Sequence, residues 1–370
     1  MRLTRKLALG LGSIGALLVL NQIFEHGVGD FVVNPYYARI ANLIGINVTL
    51  AVSLNLINGL AGQFSIGHAG FMAVGGYTAT YVTVYHGDAI ARLGGGTLAD
   101  PIGASLAMMV SLAAGAVAAA IAGLAVGVPS LRLKGDYLAI VTLGFGEIIR
   151  VVILNIPAVG GATGFTDAIP ITNFFWIYAM AVMTIAIVRN IAGSTFGRAL
   201  ATIRGDEIAA EAMGINTTRY KVLAFVISAA LAGVAGGLSG QLFANPLNPQ
   251  NLNFVKSIEI IVMVVLGGIG STTGAVVGAT ILTILPEVLR TFDQQFPGLR
   301  MVIYALLLVL LMIFRPQGLL GRKEFGWAWI RWPTRTRIPV ALADATDARK
   351  RTGHRPIDRR STLGESDTNE

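Results

Sequence analysis

The sequence predicts an all-α, polytopic membrane protein of about ten transmembrane or re-entrant helices, with a candidate inverted repeat. Three observations lead there. Of 370 residues, 54% are apolar and a further 45 are glycine. Only 13% are charged, about half the share of a soluble domain, so the chain cannot cover a water-facing surface of ordinary size. The apolar residues also fall into runs near the ~20 residues that one span requires. Together with a mean hydropathy of +0.67, these observations exclude a soluble enzyme, a nucleic-acid-binding domain and a secreted module. There is no cysteine, which removes disulfides, thiolate metal sites and cysteine nucleophiles.

The elements follow in order. Arg2, Arg5 and Lys6 precede an apolar run at 7–20 that continues without a small-x-small cleavage site, so it reads as a retained first span rather than a signal peptide. A second span is expected at about 39–58. Residues 59–85 are apolar but carry six glycines between Gly59 and Gly76, and read as a span, a re-entrant segment or a discontinuous helix. The Ala/Gly-rich run 102–128 suits close helix packing in lipid. Spans at 138–156 and 173–191 follow, then a polar stretch, 192–220. Further spans fall at 222–243, 257–270, 272–289 and 301–314. The pair 257–289 is short for two crossings and long for one. The domain reading is a membrane body at 1–321 containing a loop at 194–220, followed by a basic tail at 322–370.

Charge gives the orientation. With the N-terminus in the cytoplasm and ten crossings, 22 Lys/Arg collect on the cytoplasmic side and five on the other, a bias that places both termini inside. The net charge of +8 is mostly a property of the tail, where 12 of the 28 basic residues lie beyond 314. Trp327, Trp329 and Trp332 there suit an interfacial anchor, so membrane lipid is an expected partner. After Pro339 the composition points to disorder.

Four segments carry chemistry. The first, 54–79, places Gly62, Ser65, Gly67, His68 and Gly70 in an apolar stretch. Broken helices in lipid survive only where their backbone is buried in protein or lines a watery cavity, so a substrate path competes evenly with tight helix packing. His68 alone suits a hydrogen-bonded packing role better than a proton relay, and no metal case arises. The second, 266–279, holds Gly267, Gly268, Gly270 and Ser271. Two interrupted hydrophobic segments in the two halves are the pattern of inverted-repeat transporters. In the third, 197–220, Asp206 can cap a helix whose first turn carries Glu207. Ala209, Ala210, Glu211 and Met213 follow, and Gly214 stops it. Spacing alone favours a plain connecting helix there. The fourth is Glu147 and Arg150, read as a buried pair on one helix face at i,i+3, structural rather than catalytic. No phosphate-binding G-x-x-x-x-G-K-[ST] occurs, so any ATP would be used by another subunit.

Residues 54–78, 130–164 (SLRLKGDYLAIVTLGFGEIIRVVILNIPAVGGATG), 197–225 and 257–278, with the closing RPQG at 315–318, resemble the inner-membrane permease subunits of branched-chain amino acid ABC importers of the LivM type. The likeness covers about 38–321. It implies a chain with no chemistry of its own in a bacterial inner membrane. Implied partners are a second homologous permease subunit, two cytoplasmic ATPases and an extracytoplasmic substrate-binding protein. The helix at 207–214 then resembles the coupling helix that docks on an ATPase. The general pattern there is Glu-Ala-Ala, three residues, then Gly. Ala209, Ala210 and Gly214 match it, but Ile208 stands in place of Glu. The alternatives are a urea or short-amide importer permease, an ion-coupled carrier working alone, and an intramembrane enzyme, for which no convincing catalytic pair exists.

Overall fold

Helix formation begins where the sequence supplies its own caps. Asn34 accepts the Tyr36 N–H and Pro35 opens the first turn of α1 (Pro35–Asn55), where a missing N–H costs nothing. The helix then widens into a five-residue π turn, Leu56–Leu60. The computed structural model describes residues 34–131, 133, 135–242, 247–290 and 318–321, with single positions at 15, 21, 22, 303, 306 and 309. The expected spans at 7–20 and 301–314 and the tail with its tryptophans lie outside the described residues, apart from those single positions.

The described chain is helical throughout. α2 (His68–Leu93), α3 (Pro101–Ser130), α4 (Asp136–Leu154) and α5 (Phe174–Gly193) follow α1. Two short helices, α6 (Thr195–Gly205) and α7 (Glu207–Ala212), fill the polar stretch. α8 (Thr217–Gly240), α9 (Phe254–Gly267) and α10 (Thr272–Val288) complete the bundle. Among the described residues there is no strand, only one antiparallel bridge between Phe165 and Leu247. Among the described residues, five helices are long and apolar enough to cross a membrane: α1 with its π turn, α3, α4, α5 and α8. The segment 59–85, open between three readings, resolves as a discontinuous helix that stops at Leu60 and resumes at His68.

The core is built by α2, α3 and α8 packed on one another, with α1 against α5, α8, α9 and α10. Glycine sets how close the three central helices come. A Cβ on Gly75 would strike the backbone of Gly233, one on Gly115 would lie 2.6 Å from the Gly75 carbonyl, and one on Gly233 would lie 2.8 Å from the Gly115 carbonyl. Backbones at such range gain the dispersion contacts that drive helix association in lipid, where no hydrophobic force acts between helices.

α9 and α10 form an antiparallel pair. α10 runs the length of α1: its first residues adjoin Asn55 and Gly59, while the Tyr36 hydroxyl at the other end of α1 donates to Glu287. α9 is only 14 residues long, about 21 Å at 1.5 Å per residue. It starts beside the middle of α4, where the Phe254 N–H donates to Glu147 at 3.0 Å. Of the described residues just before it, 247–253, Pro249–Leu252 form a 3-10 turn. This stretch lies against α2, with the Tyr77 hydroxyl donating to the Leu247 carbonyl.

Candidate functional site

The first helix break is organised by two asparagines three residues apart. The Asn58 side chain accepts the Ser65 N–H at 3.2 Å, bridging the π turn to the strand-like residues that follow. Asn55, fully buried, reaches instead to the second break. The break also lies on α4. The Ile66 N–H donates to Thr142 Oγ1 at 3.1 Å, and a Cβ on Gly67 would strike the Thr142 carbonyl. Gly70 faces Gly146, whose Cα would be 2.9 Å from an added Cβ. His68 is fully buried with Nε2 2.8 Å from Ser53 Oγ, and the next N–H, of Ala69, donates to Ser257 Oγ on α9 at 3.0 Å. Among the described residues Ser65 Oγ, His68 Nδ1 and Asn55 Nδ2 are buried without a hydrogen-bond partner. Such groups are uncommon and costly.

The second break is a turn that glycine alone can make. Gly268 has φ +120° and Gly270 φ +93°, regions that a side chain disfavours. Gly267 packs against Gly274 across the turn, and Ser271 caps α10 by accepting the Gly274 N–H at 3.0 Å. Gly268 abuts the backbone of Gly321, and the Leu319 and Leu320 N–H groups donate to the Leu266 and Gly267 carbonyls.

The two breaks meet. Asn55 Oδ1 accepts the Gly270 N–H at 2.8 Å, and a Cβ on Gly59 would lie 2.7 Å from the Gly270 nitrogen. Arg204, in the last turn of α6, donates from Nη1 to the Gly59 carbonyl. Its aliphatic stem covers Gly62, which has φ +67°. Of the predicted path residues, Gly62 and Gly270 come together at this packed joint through Arg204, whereas Gly67, His68 and Gly70 pack on α4 and α1. The larger open space lies elsewhere. A cavity of about 380 Å³ between α2 and α4 is walled by Val74, Tyr77, Ile148, Ile149 and Val152 among others. A smaller cavity of about 140 Å³ includes Gly62, Asp136, Glu207 and Lys221.

The loop helix forms where its caps predict. The Asp206 side chain accepts the Ile208 and Ala209 N–H groups at 2.9 and 3.0 Å, and Gly214 turns the chain at φ +81°. Ala210 is buried, whereas Ile208 is 77% and Met213 80% exposed, an apolar pair facing away from the chain. Glu207 pairs with the buried Lys221 of α8 at 2.7 Å, and Glu211 accepts from Thr217 at 2.7 Å. α7 is thus fixed to the start of α8 by its polar side and presents apolar side chains outward.

Glu147 and Arg150 pair at 2.7 Å and are half-covered by the chain, their side chains keeping 29% and 24% of their exposure. The pair lies on a flank of α4, only 22% of whose span is covered by the chain. Glu147 uses its second oxygen to receive the first N–H of α9, a donor that no helix can satisfy internally. Its role here is a bridge between helices.

Sequence reasoning missed Asn55, Asn58, Arg204 and Lys221. A signal existed for the asparagines: polar side chains at i,i+3 within an apolar span are expensive in lipid and point to function. Arg204 and Lys221 had no such mark, since basic residues are ordinary in a loop between spans.

Residues 36–312 match the family model described as branched-chain amino acid transport system / permease component. The high-affinity branched-chain amino acid transport system permease protein LivM of Salmonella typhimurium is 33% identical over 327 residues, covering 78% of this chain and 71% of that protein. LivH of the same organism, a permease protein of the same description, is 37% identical over 45% of this chain and 53% of its own length. The probable LivM permease of Methanocaldococcus jannaschii is 24% identical over 75% of this chain and 91% of its own.

Proposed function

The chain belongs to the family of branched-chain amino acid transport permease components, and on that premise we propose that it is the membrane-spanning subunit of an ATP-driven importer for branched-chain or related amino acids. It is not an enzyme. A second, homologous permease pairs with it, as the match to both LivM and LivH supports. Two cytoplasmic ATPases supply the energy, and an external binding protein delivers the substrate to a chain whose two termini face the cytoplasm.

The observation that carries the reading is the end of the bundle where α7 presents Ile208 and Met213 beside a joint of two broken helices. A short helix pinned to the bundle by its polar side and apolar outside suits insertion into a groove of another protein. The contact helix runs from Asp206 to Gly214 and includes Glu207, Ala209, Ala210, Glu211 and Met213; Ile208 and Met213 reach outward to the partner, while Glu207, Ala210 and Glu211 hold the helix to the bundle. The path runs along the breaks, past Gly62, Ser65, Gly67, His68 and Gly70 on one side and Gly267, Gly268, Gly270 and Ser271 on the other. The buried, unpartnered polar atoms of Ser65 and His68 support this, because polar groups at membrane depth are retained where a polar solute passes.

The test is purification of the full chain from its native membrane in mild detergent, followed by reconstitution of what comes with it. A nucleotide-binding subunit and a second permease should co-purify. The assembly, given its binding protein, should take up radiolabelled leucine, isoleucine or valine only with ATP inside the vesicle wall's cytoplasmic face. Uptake driven by an ion gradient with no ATPase present would overturn the reading.

A further inference from the structure

The joint of the two breaks is gripped by one side chain from outside it. Arg204 stands in the last turn of α6, two residues before Asp206. Its guanidinium donates to the Gly59 carbonyl, one of the last carbonyls of the α1 π turn. Its Nη1 lies 3.0 Å from the position of a Cβ on Gly270, and its stem covers Gly62. One residue therefore touches three points: the end of the first half-helix, the residue that follows it, and the turn between α9 and α10.

The corner that carries Arg204 is stiff. The Asp206 N–H donates to the Thr202 carbonyl at 3.1 Å, closing α6, while its side chain caps α7. The same residue ends one helix and starts the next, so α7 is joined to the turn that carries Arg204 by hydrogen bonds on both sides of Asp206. On the far side of α7, Glu207 is held to Lys221 at the start of α8. The chemistry at the grip suits a repeated motion. A cation at the carbonyl end of a helix is favoured by the exposed carbonyl dipoles. Glycines at 59, 62 and 270 let the Arg204 side chain lie directly on the backbone of both breaks.

We propose that Arg204 is a positioning residue that transmits movement of α7 to both helix breaks at once, so that the path opens and closes with the energy step. This rests on the transport reading above and adds the residue through which coupling passes. Arg204 touches no substrate in this role. It acts through Gly59 and Gly270, and its loss should spare hydrolysis while disconnecting it from transport.

The experiment uses the whole reconstituted assembly and reads substrate moved per ATP hydrolysed, alongside assembly by co-purification. Arg204→Gln should retain the ATPase and hydrolyse ATP within about twofold of the parent rate, with transport per ATP lowered about tenfold. Arg204→Lys keeps the charge and loses the fork, and should restore the ratio to within two- to fivefold. A merely structural role would lower hydrolysis and transport together and leave their ratio unchanged, which overturns the proposal. Should Arg204→Gln fail to assemble, Arg204→Lys decides: a lowered ratio supports the proposal and an unchanged one overturns it. Failure of the parent chain to carry an ATPase would overturn the transport reading itself. An ATPase present with an unchanged ratio would overturn only the role of Arg204.

Discussion

At the crossing of α2, α3 and α8, Gly75, Gly115 and Gly233 sit inside unbroken helices, whereas Gly59, Gly268 and Gly270 sit where helices stop. The first group has ordinary helical backbone and neighbours such as Ala79 and Ala119. In the second, Gly268 and Gly270 have positive φ, and Asn55 and Arg204 are the neighbours. In one place the missing side chain shortens the distance between helices. In the other it frees a dihedral angle. A close crossing is set once, when the bundle packs. The second region is held by side-chain hydrogen bonds, the Gly270 N–H on Asn55 and Arg204 on the Gly59 carbonyl, which can exchange partners, so the same residue type serves rigidity in one region and motion in the other.

That contrast can be broken by substitution. The largest effect is expected at the crossing: Gly233→Val should destabilise the chain by about 3 kcal/mol, the upper end of overpacking costs, because Gly115 backbone and Ala119 cannot both move. Thermal unfolding in detergent measures it, and an unchanged midpoint would mean the crossing is loose. Gly59→Ala should come next, at roughly 1–2 kcal/mol. Here uptake should suffer more than stability, because the new methyl pushes Gly270 away while leaving the core intact. If stability and uptake fell in proportion, the joint would be core like any other.

Smaller effects test the outward helix. Gly214 has open space around it and a positive φ, so the cost of a side chain is conformational, about 1 kcal/mol. Gly214→Ala and Gly214→Trp should therefore weaken ATPase retention similarly, with Gly214→Asn milder. A graded loss with side-chain size would instead reveal a tight docked surface at that residue. Smallest is Glu147→Gln, which keeps an acceptor for the Phe254 N–H and loses the charge pair. Because the bridge to α9 is kept, uptake should change less than about threefold. A complete loss with normal folding would return Glu147 to the transport chemistry.

Much of the fold was legible because it follows from local rules. Apolar runs placed α1, α3, α4, α5 and α8, and Asp206 with Gly214 marked both ends of the outward helix within a residue or two. The joint was legible only as two suspicious segments. What brings them together is a contact between Asn55 and Gly270, 215 residues apart, and another between Arg204 and Gly59, 145 apart. No local pattern encodes such pairs. Glu147 shows a second limit. Hydropathy locates a charge along a span but not around it, and the azimuth decides whether the charge is covered.

The short α9 has a consequence for how much of this chain can live alone. Its 14 residues reach about 21 Å, roughly 10 Å short of a ~30 Å hydrocarbon layer, and a crossing here would have to be completed by the 3-10 turn before Phe254, where Gln250 and Asn251 are exposed. Lipid offers such backbone no hydrogen bonds. The chain should then be a folded body whose stability depends on concentration: dilution into excess lipid would lower its melting temperature, and crowding with its own assembly would raise it.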